Sequence, residues 1–170
     1  MKRILCLLLC LLWPLAALAE EIAPLTAEDF TLAAGDQVLA LGVDAGPWLE
    51  ILEEMTGMPF DKTETVSCMF SGMDREYAND ALIIGTYPLG ADGADVLESV
   101  IVLTDAFTTA RGAAVGMARA EIEALYGDDY FLDWDTMIYS NGLLEPQLMF
   151  TFDLDTEEVV SWMLLRNTVS

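Results

Sequence analysis

Twice along the chain, a helical hydrophobic period runs up to a glycine and then gives way to strict alternation. The first run is Gly42 to Gly57 and the second is Gly116 to Gly127. Aligned on their last glycines, Leu52 falls on Ile122, Glu53 on Glu123 and Met55 on Leu125. Trp48, Leu52 and Met55 share one stripe at helical spacing, as do Ala118, Ile122 and Leu125. Each run therefore predicts a short amphipathic helix. Pro47 suits a first helical turn, and Gly57 and Gly127 stand where a left-handed residue ends a helix. Ala118 occupies the expected N-cap of the second helix, where serine or threonine would be the better residue.

After each glycine the period becomes two. Thr63–Phe70, Ala81–Tyr87 and Leu97–Leu103 predict three strands in the first half; Asp135–Tyr139, Gln147–Asp153 and Val159–Arg166 predict three in the second. Ahead of them, Phe30–Leu32 and Val38–Leu41 flank Ala34-Gly35-Asp36 as a β-hairpin. The expected fold is α+β: two αβββ pseudo-repeats, about 42–105 and 112–166, preceded by the hairpin. Helices are expected on one face of a mainly antiparallel sheet. Thr104–Val115 joins the halves and predicts no element.

Lys2 and Arg3 precede an uncharged, leucine-rich stretch from Ile4 to Ala19. It is too short for the roughly 20 residues that span a bilayer. It ends in Ala17-Leu18-Ala19, which places small residues where signal peptidase reads, so cleavage before Glu20 is expected. Residues 1–19 are then a signal peptide and 20–170 a single exported domain, secreted or held in the cell envelope without stable membrane insertion.

Loss of Lys2 and Arg3 leaves five basic side chains against 29 acids, a net charge of −24. Trp48, Trp134, Trp162, seven Phe and five Tyr remain, so this is a folding chain and not a disordered acidic tail. Such a charge repels nucleic acid and anionic lipid, and attracts cationic peptides, basic proteins or divalent ions. Cys68 stands alone after processing and can form no internal disulfide. Its place between Val66 and Phe70 in an alternating run predicts burial. The chain has no histidine, which excludes serine-type triads, Cys–His pairs and histidine-based zinc sites. There is no phosphate-binding glycine loop with its lysine, and no cofactor is expected.

The run Val115 to Gly127 resembles the helix motif of β-lactamase inhibitory protein, a tandem repeat of a helical segment followed by antiparallel strands. The small outer-membrane lipoprotein of the β-barrel assembly machinery shares that layout in one copy. Ser67-Cys68-Met69-Phe70-Ser71-Gly72-Met73-Asp74-Arg75-Glu76-Tyr77, with Thr86-Tyr87-Pro88 and the Gly112 to Gly127 region, is similar to secreted proteins of clostridial gut bacteria. These resemblances imply a fold and no target. The inhibitory protein's disulfides have no counterpart here, Ala118 replaces its threonine, and no binding residue carries over.

Asp128-Asp129-Tyr130-Phe131-Leu132-Asp133-Trp134-Asp135 is the most site-like segment: four carboxylates interleaved with three aromatics between a helix and a strand. Loops on a rigid scaffold carry function, and Tyr and Trp anchor interfaces. The expected function is non-enzymatic binding of a protein or cationic peptide through Asp128, Asp129, Tyr130, Phe131, Asp133, Trp134 and Asp135. A hydrolase working through two carboxylates and an extracellular divalent-cation binder are the alternatives. Asp153-Leu154-Asp155-Thr156-Glu157 begins like a calcium loop but lacks its glycine and closing glutamate, so it predicts a solvated turn.

Overall fold

The computed structural model describes residues 22–34, 36–89 and 94–167. Helix α1 is Gly46–Thr56, with Pro47 in its first turn, and it ends at Gly57 in the left-handed region (φ +67°). Asp44 Oδ1 accepts the Gly46 N–H at 3.0 Å, satisfying a donor that the first turn leaves free. Ala45 and Leu52 are buried and Leu49 is half-buried, so the apolar stripe runs along Ala45, Leu49 and Leu52. At 100° per residue this direction leaves Met55 on the flank, 44% exposed, although the sequence pattern had placed it in the stripe. Helix α2 is Arg119–Tyr126, and Ala118 is its N-cap. Gly127 follows with φ +88° but an extended ψ of −175°, so it turns the chain away instead of closing a left-handed cap.

Among the described residues, ten strands form two sheets. β1 (Thr31–Ala34) and β2 (Gln37–Ala40) make the expected separate hairpin. The others are β3 (Asp61–Val66), β4 (Met73–Ala78), β5 (Leu82–Tyr87), β6 (Val96–Val102), β7 (Phe131–Asp133), β8 (Thr136–Ser140), β9 (Gln147–Phe152) and β10 (Val159–Leu165). They form one eight-stranded sheet in the order β3-β4-β5-β6-β10-β9-β8-β7, with every neighbour antiparallel. Two meanders thus meet at a central β6–β10 pair. With α1 and α2, this is an α+β architecture.

Four strands follow each helix, where the sequence pattern gave three. β4 escapes it because Asp74 and Glu76 alternate with Arg75 and Tyr77, so neither face reads as apolar. The expected Thr63–Phe70 strand is displaced to Asp61–Val66, and the chain reverses through residues 67–72. Cys68 lies in that reversal and is exposed, against the expectation of burial. Alternation cannot bury a residue outside the strand, and even Val66 is 70% exposed on this outer strand.

One face of the sheet builds the core. Tyr139, Leu148, Leu164, Val100 and Ile84 follow one another across β8, β9, β10, β6 and β5, all with no exposed surface. Leu52 of α1, Ile122 and Tyr126 of α2, and Leu32 and Leu39 of the hairpin join the same cluster. The Tyr126 ring lies 5.3 Å from Tyr139 and 5.6 Å from Phe150, which fixes α2 to this face. Residues 103–118 hold no helix or strand, yet Phe107 and Ala113 drive them into the core.

Candidate functional site

The acidic–aromatic segment is mostly a hairpin at the edge of the sheet. From Gly127 the chain runs through Asp128, Asp129 and Tyr130 into β7, the outermost strand, so residues 131–133 are not the irregular loop that the sequence pattern implied. Phe131, Leu132 and Asp133 pair with Ile138, Met137 and Thr136. Trp134 and Asp135 form the tight connection.

The aromatics divide. Tyr130 folds inward: its hydroxyl donates to Glu123 Oε1 at 2.8 Å, and its ring lies 5.6 Å from that of Tyr139. The bond to Glu123 raises the Tyr130 phenol above its ordinary pKa, because it favours the protonated form. Phe131, Leu132 and Trp134 project outward, at 68%, 48% and 81% exposure. Trp134 also has φ +55°, a region that L side chains occupy at a cost and that favours glycine or asparagine. Asp128, Asp129 and Asp133 are exposed. Asp135 is half-buried, its carboxylate accepting the Thr136 hydroxyl at 3.1 Å and its carbonyl accepting the Phe152 N–H at 2.9 Å. Beside the hairpin lies a groove of about 590 Å³ lined by Tyr130, Phe131, Ile138 and Leu143, of which Leu143 is 92% exposed.

The sheet face opposite the core carries a feature that the segment-by-segment pattern missed. Phe131 is registered with Ile138, Ile138 with Met149, Met149 with Met163, Met163 with Ile101, and Ile101 with Ile83. This apolar row crosses β7, β8, β9, β10, β6 and β5. Phe131 is exposed and the others are half-buried. The row beside it, Ser140, Gln147, Leu165, Ser99, Gly85 and Glu76, is polar apart from Leu165 and Gly85. The signal was present in the unbroken runs Leu82-Ile83-Ile84, Val100-Ile101-Val102 and Leu148-Met149-Phe150: antiparallel strands with one wet face alternate instead.

At the far end of this face, a pocket of about 270 Å³ is lined by residues that include Asp74, Arg75, Glu76, Glu98, Thr86 and Ser99. Asp74 Oδ1 is buried there with no hydrogen-bond partner among the described residues. Burial, and then Glu98 and Asp74, raise the Tyr87 phenol. Among the described residues no group of three or more His, Cys, Asp or Glu is arranged to hold a metal ion. Asp153 Oδ1 instead accepts the backbone N–H groups of Asp155 (2.8 Å) and Thr156 (2.9 Å), which hold its carboxyl below the usual range. That is the self-satisfied turn expected of this segment.

Ala17, Ala19 and Glu20 lie outside the described residues. No described helix is long and apolar enough to cross a membrane. Compared with family models, characterised proteins and solved structures, the chain matches none.

Proposed function

We propose that this is an exported, non-enzymatic binding domain that recognises a protein or cationic peptide through the β7–β8 hairpin. The single observation carrying this reading is Trp134. It is the largest side chain type, it is 81% exposed, and its backbone is held at φ +55°. Such a residue adds little to the core, and its conformation costs on the order of 1 kcal/mol. Contact with a partner accounts for a tryptophan there; four surrounding carboxylates, Asp128, Asp129, Asp133 and Asp135, supply the attraction for a cation.

The same proposal takes residues of about 42–105 and 112–166 as two repeats, each now read as one helix and four strands. The mirrored strand order about β6–β10 supports it, as does the layout implied by the resemblance to β-lactamase inhibitory protein.

The test is capture from native culture by immobilised protein, comparing wild type with Trp134→Asn and with a variant carrying Asn at positions 128, 129, 133 and 135. A protein retained by wild type and lost from both variants, with melting temperatures unchanged, is the expected result. Identical sets retained by all three would overturn the role of the hairpin.

A further inference from the structure

We infer that the apolar row on the open face docks a basic amphipathic helix lying across the strands. This rests on the binding-domain reading and extends its surface from the hairpin onto the sheet. Phe131, Ile138, Met149, Met163, Ile101 and Ile83 form an apolar stripe across six strands, flanked by positions that are polar apart from Leu165 and Gly85. At about 4.8 Å between strands it is about 24 Å long. A helix rising 1.5 Å per residue covers that length with about 16 residues, and its own apolar stripe has a matching width.

A helix fits this row better than a strand because the row runs across the strands, whereas the backbone groups open to a further strand lie along the outer edges of β3 and β7. An extended segment laid on the face gains no ladder, whereas a helix brings its backbone satisfied. Methionines in the middle of the row supply flexible, polarisable surface that adapts to a varied apolar partner.

The partner's charge follows from the distribution of acids and bases. Glu76 flanks the row at one end, and Asp133 lies beside Phe131 on the same face of β7 at the other. No basic residue of the described region takes an open-face position. Lys62 shares the register of Tyr77 and the buried Ile84, and Arg75 that of Thr86, both on the core side. Arg111 bonds Asp29, Arg119 stacks on Phe152, and Arg166 lies against Gly42. A second copy of this chain, carrying the same strong negative charge, is repelled.

The probe is a synthetic peptide of about 16 residues with leucine on one helical stripe and lysine elsewhere; the control has the same composition with the stripe scrambled. Binding is read by fluorescence anisotropy against wild type, Met163→Lys, the gentler Met149→Ala, and the hairpin variant with Asn at positions 128, 129, 133 and 135. The striped peptide should bind at least about tenfold tighter than the scrambled one and weaken as salt rises. Met163→Lys should reduce affinity about tenfold or more and Met149→Ala several-fold, with the fold retained by circular dichroism. If Met163→Lys unfolds, Met149→Ala decides. Equal binding of both peptides, binding of neither, or unchanged binding by the open-face variants overturns the inference. Loss confined to the hairpin variant retains the hairpin and removes the helix; loss confined to the open-face variants does the reverse.

Discussion

Arg111 grips Asp29 with two nitrogens: Nε lies 2.6 Å from Oδ1 and Nη2 2.8 Å from Oδ2. The same guanidinium donates to the carbonyls of Ala23 (2.9 Å), Pro24 (2.9 Å) and Leu125 (3.1 Å), and lies 4.9 Å from the Tyr126 ring. One side chain from the segment between β6 and α2 thus ties the N-terminal segment, the turn before β1 and the end of α2. Asp29 is 3% exposed. Burial alone would push its carboxyl up, but the bonds from Arg111 and the Thr26 backbone N–H outweigh burial and hold it below its ordinary value.

Arg111→Ala leaves that carboxylate buried without its cation and should destabilise the fold by about 3 kcal/mol, measured by urea unfolding. The pH sign follows from a depressed folded pKa. The Asp29 contribution is complete above the ordinary aspartate range and is lost as pH falls below it, through the folded value. Wild type should therefore lose more stability than Arg111→Ala between about pH 5 and pH 2. Parallel acid profiles would show that the pair contributes nothing.

The buried Tyr126 and Tyr139 and the half-buried Tyr77 set the alkaline limit. Burial pushes Tyr126 up to about 12, and burial with the Asp95 hydrogen bond does the same for Tyr77. Tyr139, buried beside both Tyr126 and Tyr130, is raised as well, chiefly by burial. Phenols of the unfolded chain ionise near pH 10, so the stability from these groups is complete below about 10 and drains away as pH rises toward the folded values. Tyrosinate absorbance should rise late and together with loss of the near-ultraviolet circular dichroism signal. Full ionisation near pH 10 with the fold intact would contradict the buried placement.

Ala118 is extended (φ −72°, ψ 153°), and its own N–H donates to Glu121 Oε2 at 2.8 Å. Half of a capping box is therefore built, and the missing half is a side-chain acceptor at position 118. Ala118→Ser should stabilise by about 0.5–1 kcal/mol in thermal unfolding. A lower melting temperature would mean that the alanine methyl is more valuable packed than the new bond.

Cys68 in the β3–β4 reversal is exposed, and it is flanked by Met69 at 48% exposure. A thiol reagent should label it in the native state at a rate within a few-fold of the unfolded chain, since no burial gate must open first. Labelling that awaits unfolding would restore the buried strand position instead.

Local pattern carried much of this fold, because helix and strand periods and cap residues act between neighbours. Pro47, Gly57 and Ala118 lie where spacing put them, and α1, α2, the leading hairpin and five of the six expected strands are close to their expected limits, β3 being the displaced one. What failed were the elements whose side chains do not report their neighbours: charged β4, three-residue β7, and the reversal that exposes Cys68. The acid–aromatic composition of residues 128–135 was legible, but not their pairing into an edge hairpin with Tyr130 inward and Trp134 outward. Nor could local pattern reveal that Arg111, one of seven basic residues, closes onto Asp29 82 positions away. The open-face row is the clearest case. Ile83, Ile101, Met149 and Met163 each look like ordinary core, and only the order of strands decides which face is covered. That order depends on contacts between distant segments, so it belongs to the tertiary structure, where an apolar side chain becomes either core or surface.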